Sequence, residues 1–369
     1  MAPAKFSVGL CVAMLFAGAL PALAQLSPAE PDPLARIRDA AKSNVQACSA
    51  TGESLCEQVA PKIIANAQGD SPLAENLRRL AQEIHEGRLV SPAETVVWAL
   101  AAFRDTGVDA HSEENTVPLP GQKTAFQVLH VVVAEIRGRE NPDEWVLLGA
   151  RLDPQSPDMV NIAADAAMVV EAARDVQLTG VRPRRSIRFV LFVGPDNNLI
   201  GSWAYIRAHR NELDRARAAI ILKSGRSRMT GYSLNGRHDI ETGLREAMKA
   251  IESLSAAHFS FEVGLGTDNL DFLAEGVPTL TAERIPFGNM MDSPPASVPH
   301  DLVEIADMKY NTAVAAVTAF GLAERAEPLG PRQSRAEIES LLKASGLADQ
   351  MKVAGIWPLW ESGRRGRLP

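Results

Sequence analysis

The feature that most constrains this chain is a set of short apolar runs set between helical stretches. Val128–Ile136, Trp145–Ala150, Ile187–Val193 and Ala218–Leu222 are strand-length runs, and 159–178 between the second and third repeats at helical spacing. Strands that are apolar throughout need cover on both faces. Alternation with helices supplies it, so the pattern predicts a three-layer α/β/α sandwich around a mixed, largely parallel twisted sheet. In such sheets ligands bind beyond the carboxyl ends of the strands. Arg151, Pro195-Asp196 and Lys223 each stand just past such an end. Three distant segments therefore meet at one place.

The flanks fill in the organisation. Lys5, an apolar run from Phe6 to Leu20, Pro21 and then Ala22-Leu-Ala24 read as a secretory signal peptide with cleavage near Ala24. The run is shorter than the roughly 20 residues of a membrane span, and bulky Leu10 before Cys11 argues against a lipoprotein signal. The expectation is an exported chain, periplasmic or extracellular, with no membrane span. Export places Cys48 and Cys56 in an oxidising compartment, where a disulfide between them is expected, with about 2 kcal/mol of loop-entropy stabilisation. Residues 25–115 read as a helical region. The periodicity predicts helices over 34–67, 73–85 and 91–106, the last with Ser91 as cap, Pro92 in the first turn and Glu94 behind it. The α/β domain is set at 116–326, with further strands near Phe259–Val263 and Gly276–Leu280 and helices over 237–253 and 301–326. Residues 327–369 form an extension carrying a helix at 335–344 and a basic end read as a solvated tail. The formal charge of −7 argues against a nucleic-acid partner, and 46% hydrophobic with 22% charged residues is ordinary globular composition.

Four segments carry a resemblance. Val132-Val-Ala-Glu-Ile-Arg-Gly138 leads into Trp145-Val-Leu-Leu-Gly-Ala-Arg-Leu-Asp153. Val169-Val-Glu-Ala-Ala-Arg174 precedes a strand entered through Gly180-Val-Arg-Pro183. Leu199-Ile-Gly-Ser202 is followed by Tyr205 and His209, and Thr267-Asp-Asn269 leads through Phe272 to Gly276-Val-Pro278. In this order, over roughly residues 75–325, they resemble the secreted di-zinc exopeptidases of the leucyl aminopeptidase and carboxypeptidase Q type. The resemblance implies two zinc ions bridged by a carboxylate, with a Glu as general base on the metal-bound water.

The residues at the matching positions do not carry that chemistry. The first ligand His falls on Arg151, and the bridging Asp, counted back from Glu171, on Asn161. The general base falls on Pro195 and its ligand neighbour on Asp196. The next strand-end Asp falls on Lys223 and the last His on Asp292. Arginine has no lone pair to donate, and lysine ligates only when deprotonated. One fixed cation at 4 Å from a divalent ion opposes it by roughly 8 kcal/mol at an effective dielectric of 20. The seven histidines, at 85, 111, 130, 209, 238, 258 and 300, fall on none of the ligand positions, His300 being nearest. No metal is expected. Two readings of Arg151 and Lys223 stay open: they take the place of the ions, with Asp153 and Asp196 as their natural partners, or they point to solvent in a drifted cleft.

Three functions follow from this reading. The first is an inactive pseudo-peptidase whose cleft binds a peptide or protein. The second is a working metalloexopeptidase with a rebuilt site. The third is an assembly or scaffold subunit. A serine hydrolase is disfavoured because Gly201-Ser-Trp is not a nucleophile elbow. Gly264-Leu-Gly266 is too short for a dinucleotide fingerprint.

Overall fold

The computed structural model describes residues 55–368, apart from 87–90, 119–125, 154–155, 157, 195–199, 255, 266–267 and 285–299. Three helices open it: α1 (Leu55–Gln68), α2 (Leu73–His85) and α3 (Pro92–Asp105). The cap read from the sequence is in place. Ser91 Oγ accepts from Glu94 N–H, and Glu94 Oε2 accepts from Ser91 N–H.

Then come β1 (Ala110–Pro118), β2 (Phe126–Ile136), β3 (Asn141–Leu152), α4 (Met159–Gln177), β4 (Arg185–Val193), α5 (Ile200–Ala208) and β5 (Ala216–Ile221). They are followed by β6 (Met229–Ser233), α6 (Glu241–Met248), β7 (His258–Ser260), α7 (Asn269–Ala274), β8 (Thr279–Arg284) and α8 (His300–Glu324). The eight strands form one sheet in the order β1-β2-β4-β3-β5-β8-β6-β7. Its central block, β4-β3-β5-β8, is parallel, and antiparallel pairs flank it on both sides. The expected three-layer sandwich is the observed one.

Successive strand residues face opposite ways, and the two cores show it. Val132, Ala134, Val146, Leu148, Phe189, Leu191, Ala218 and Ile220 pack toward α3, α4 and α8, and α1 lies on α4 and α8. Val131, Val133, Trp145, Leu147, Val190, Phe192, Ala219 and Ile221 pack toward Tyr205 and Ile206 of α5 and Phe272 of α7. With both faces buried, a polar side chain within a central strand needs a partner, as Arg188 of β4 has in Glu135 and Glu212, and the other charges gather toward the strand ends. No helix among the described residues is long and apolar enough to cross a membrane.

Two expectations need correction. The bond between Cys48 and Cys56 is not found. Cys56 is a free thiol on the buried face of α1, its Sγ 4.0 Å from the Ala247 carbonyl of α6. Burial first, then the charge of Glu324, pushes this thiol up to about 12, while Cys48 lies outside the described residues.

The basic end, second, is not a solvated tail. After α9 (Arg335–Ala344) come two short helices, α10 (Leu347–Val353) and α11 (Trp357–Glu361), which pack with Leu270, Leu273 and Ala274 of α7. The chain then folds back over Trp360. Gly366, at φ +84°, passes so close that a Cβ there would lie 2.6 Å from the ring. The return buries Arg365, 2% exposed, against Asp271, 1% exposed, through Nε–Oδ1 and Nη2–Oδ2 contacts of 2.7 and 2.8 Å. The composition of the segment did not reveal its partner, which lies 94 positions earlier.

A buried pair broken on one side leaves the other charge uncompensated. Arg365→Ala is expected to cost about 3 kcal/mol in urea denaturation. Adding Asp271→Leu to it should recover part of that loss, whereas independent sites would add.

Candidate functional site

The strand ends define a small cleft of about 90 Å³. By register, Gly149 of β3 pairs with Ile221 of β5, which pairs with Thr281 of β8. Two residues further along, Arg151 and Lys223 come level, with Arg284 one step beyond on β8. All three line the cleft. Arg151 is half-buried and Lys223 exposed, while Asp153, just past β3, is 4% exposed.

The opposite wall is the first part of α4. Asn161 lines the cleft, its Nδ2 donating to Asp158 Oδ1 at 2.8 Å and its Oδ1 accepting from Arg226 Nε at 3.4 Å. Arg226 in turn pairs with Glu304 of α8 at 2.5 Å. This closeness depends on Gly225. Its φ is +55°, and a Cβ there would lie 2.7 Å from Asn161 Oδ1.

One helical turn after Asn161 stands Asp165, 7% exposed and also lining the cleft. Its Oδ1 accepts from Gly225 N–H at 2.8 Å and from Ser224 Oγ at 3.4 Å. Burial pushes this carboxyl up to about 7, against the opposing pull of the Gly225 N–H and the Arg284 charge. The third wall is Asp268, which precedes α7 and accepts from Ser202 N–H of α5 at 3.2 Å. Ser202 Oγ donates to Asp271, the partner of Arg365.

Of the positions read from the sequence, the structure thus brings Arg151, Asn161 and Lys223 to one cleft. Pro195, Asp196 and Asp292 lie outside the described residues. Asp165, Asp268, Arg226 and Arg284 were missed. Asp165 carried a signal, being the one acid in the Ile162–Val170 stretch of an otherwise apolar helix.

Comparison with known proteins fits this frame. Residues 131–310 match peptidase family M28. The matched stretch, from β2 into α8, is just under half of the chain. Mouse carboxypeptidase Q is 31% identical over 150 residues, which are 40% of this chain and 31% of that protein. Human transferrin receptor protein 2 is 32% identical over 81 residues, 21% of this chain and 10% of that one. This chain therefore spans under a third of the length of these relatives. A peptidase M28 precursor from Shewanella amazonensis, solved as a crystal structure, superposes with a TM-score of 0.62 at 16% identity. The superposition covers 76% of this chain and 99% of that one, and shows the shared fold.

The M28 frame brings with it the question of zinc. Here the described cleft offers two guanidiniums, an ammonium and an engaged amide beside Asp158, Asp165 and Asp268. No histidine lines it, and among the described residues no group of three His, Cys, Asp or Glu side chains is placed to hold a metal ion. That donor set does not fit a di-zinc centre.

Asp165 also gives the cleft a pH signature. Between the ordinary value of 3.8 and about 7 the folded chain holds the Asp165 proton and the unfolded chain releases it. The resulting stability is therefore complete below pH 4 and lost as the pH rises to about 7. Asp165→Asn keeps an oxygen for Gly225 N–H and removes the titration. It is expected to shrink the difference in unfolding free energy between pH 4.5 and pH 8 by on the order of 2 kcal/mol, read from urea melts of both proteins at both values.

Proposed function

We propose that this is an exported M28-fold protein that binds a peptide or protein in the former metal cleft and does not hydrolyse it. One observation carries the reading: Arg151 and Lys223 reach the cleft from adjacent strand ends, facing an Asn161 amide already engaged by Asp158 and Arg226. Each cation would oppose a divalent ion by several kcal/mol at close range. Without a metal, water must be activated by a side-chain base, and the family's base position is Pro195. The kinship with a protein named as a receptor, alongside one named as a carboxypeptidase, agrees with an M28 domain used for binding.

A second reading, a hydrolase with a rebuilt site, draws support from Asp165 and Asp268, two carboxylates that line the cleft. Two measurements separate the readings. Protein purified without chelator is expected to hold well below one zinc per chain by mass spectrometry. It is also expected to leave aminoacyl anilides and dipeptides uncleaved when zinc, manganese or cobalt is added. Stoichiometric metal together with turnover that Asp165→Asn abolishes would establish the hydrolase.

A further inference from the structure

Taking the cleft as a ligand site, as proposed above, its chemistry says which group of the ligand enters. We propose that it receives a single carboxylate of a peptide, held between Arg284, Lys223 and Arg151. The three side chains come from β8, β5 and β3, which are neighbours in the sheet, and register sets them at nearly one level. Parallel strands lie about 4.8 Å apart, so the row converges on a group rather than on a long stretch of chain. Arg284 gives the strongest sign. Its side chain lines the cleft and its charge is felt at Asp165, yet its guanidinium makes no hydrogen bond or ion pair among the described residues. A planar guanidinium at the mouth of a cleft matches a carboxylate through two parallel hydrogen bonds.

Size and charge narrow the choice. The cleft, about 90 Å³, has room for a carboxylate between the cations. The acids on the walls limit how much negative charge can enter. Asp158 holds the Asn161 amide, Asp268 accepts from Ser202 N–H, and Asp165 accepts from Gly225 N–H. Three carboxyl groups beside three cations suit a monoanion better than a dianionic phosphate. Asp165, which accepts from Ser224 and Gly225, lines the same space. A shared proton there would tie an incoming carboxylate to the wall.

The test uses the full chain and fluorescein-labelled hexapeptides, read by fluorescence polarisation. One arm has a free C-terminal carboxylate, a second is its C-terminal amide, and a third is the amide with one internal Glu. Either carboxylate-bearing arm is expected to bind about tenfold or more tightly than the plain amide, and the two arms tell a chain end from an acidic side chain. Arg284→Gln and Lys223→Gln should each remove most of that preference while leaving the melting temperature within a few degrees of the parent. Acetate at high millimolar concentration should compete, and inorganic phosphate should compete less well. Equal binding of acid and amide arms, with binding still sensitive to Lys223→Gln, would overturn the carboxylate assignment and spare the cleft as a peptide site. Stronger competition by phosphate than by acetate would also overturn it. Absence of binding by all three arms would remove both readings.

Discussion

Everything about this molecule follows from burying a parallel sheet on both sides. Helices α3, α4 and α8 cover one face, with α1 lying on α4 and α8, and α5 and α7 cover the other, with the C-terminal extension packed on α7. Central strands flanked in this way cannot carry polar side chains along their length without desolvating them. Apart from Arg188 of β4, paired with Glu135 and Glu212, the charges of the central strands stand near the strand ends. In the cleft β3, β8, the segment just past β5 and the start of α4 all bring a side chain to the same space. Changes in chemistry at those few positions leave the cores untouched, and the fold persists through them.

The electrostatics of the cleft have a consistent logic. Asn161 engages a carboxylate on one side and a guanidinium on the other, and Glu304 balances that guanidinium from α8. Asp165 is desolvated yet holds a backbone N–H, so its ionisation sits near neutrality. Ser202 connects Asp268 on the cleft wall with Asp271, which in turn grips Arg365 from the end of the described chain. The wall and the extension are one hydrogen-bonded unit.

Much of this was legible in the residues. The long elements declared themselves by period: α4, α8 and α9, and the strands around Val132, Leu148 and Leu191, stand where apolar spacing put them. Strand β1 was missed because His111-Ser-Glu-Glu-Asn-Thr116 is an edge strand, paired on one side by β2 and largely exposed. It therefore lacks the apolar run by which buried strands are recognised. β6 was missed because it is five residues long and carries Gly231, which packs directly on the backbone of His258. At the site, strand-end positions were readable because they follow from where an apolar run stops. Arg284 was not, since β8 had been traced only as far as its entry at Leu280. Arg365 was not readable either, because a cation in a glycine-rich stretch looks solvated until its distant acid is found. The cysteine pair misled through proximity in sequence: one of the two faces the core of the helical layer.

The triangle of Asn161, Arg226 and Glu304 has a consequence for substitution at position 161. A change of Asn161 to aspartate would place a carboxylate directly beside Arg226, turning an amide contact into an ion pair. An acid at this position would thus be gripped more tightly by the guanidinium than the amide is. Gly225 holds that geometry close, because any other residue there would press on position 161. Position 161, Arg226 and Glu304 are thereby tied into one unit that joins α4 to α8.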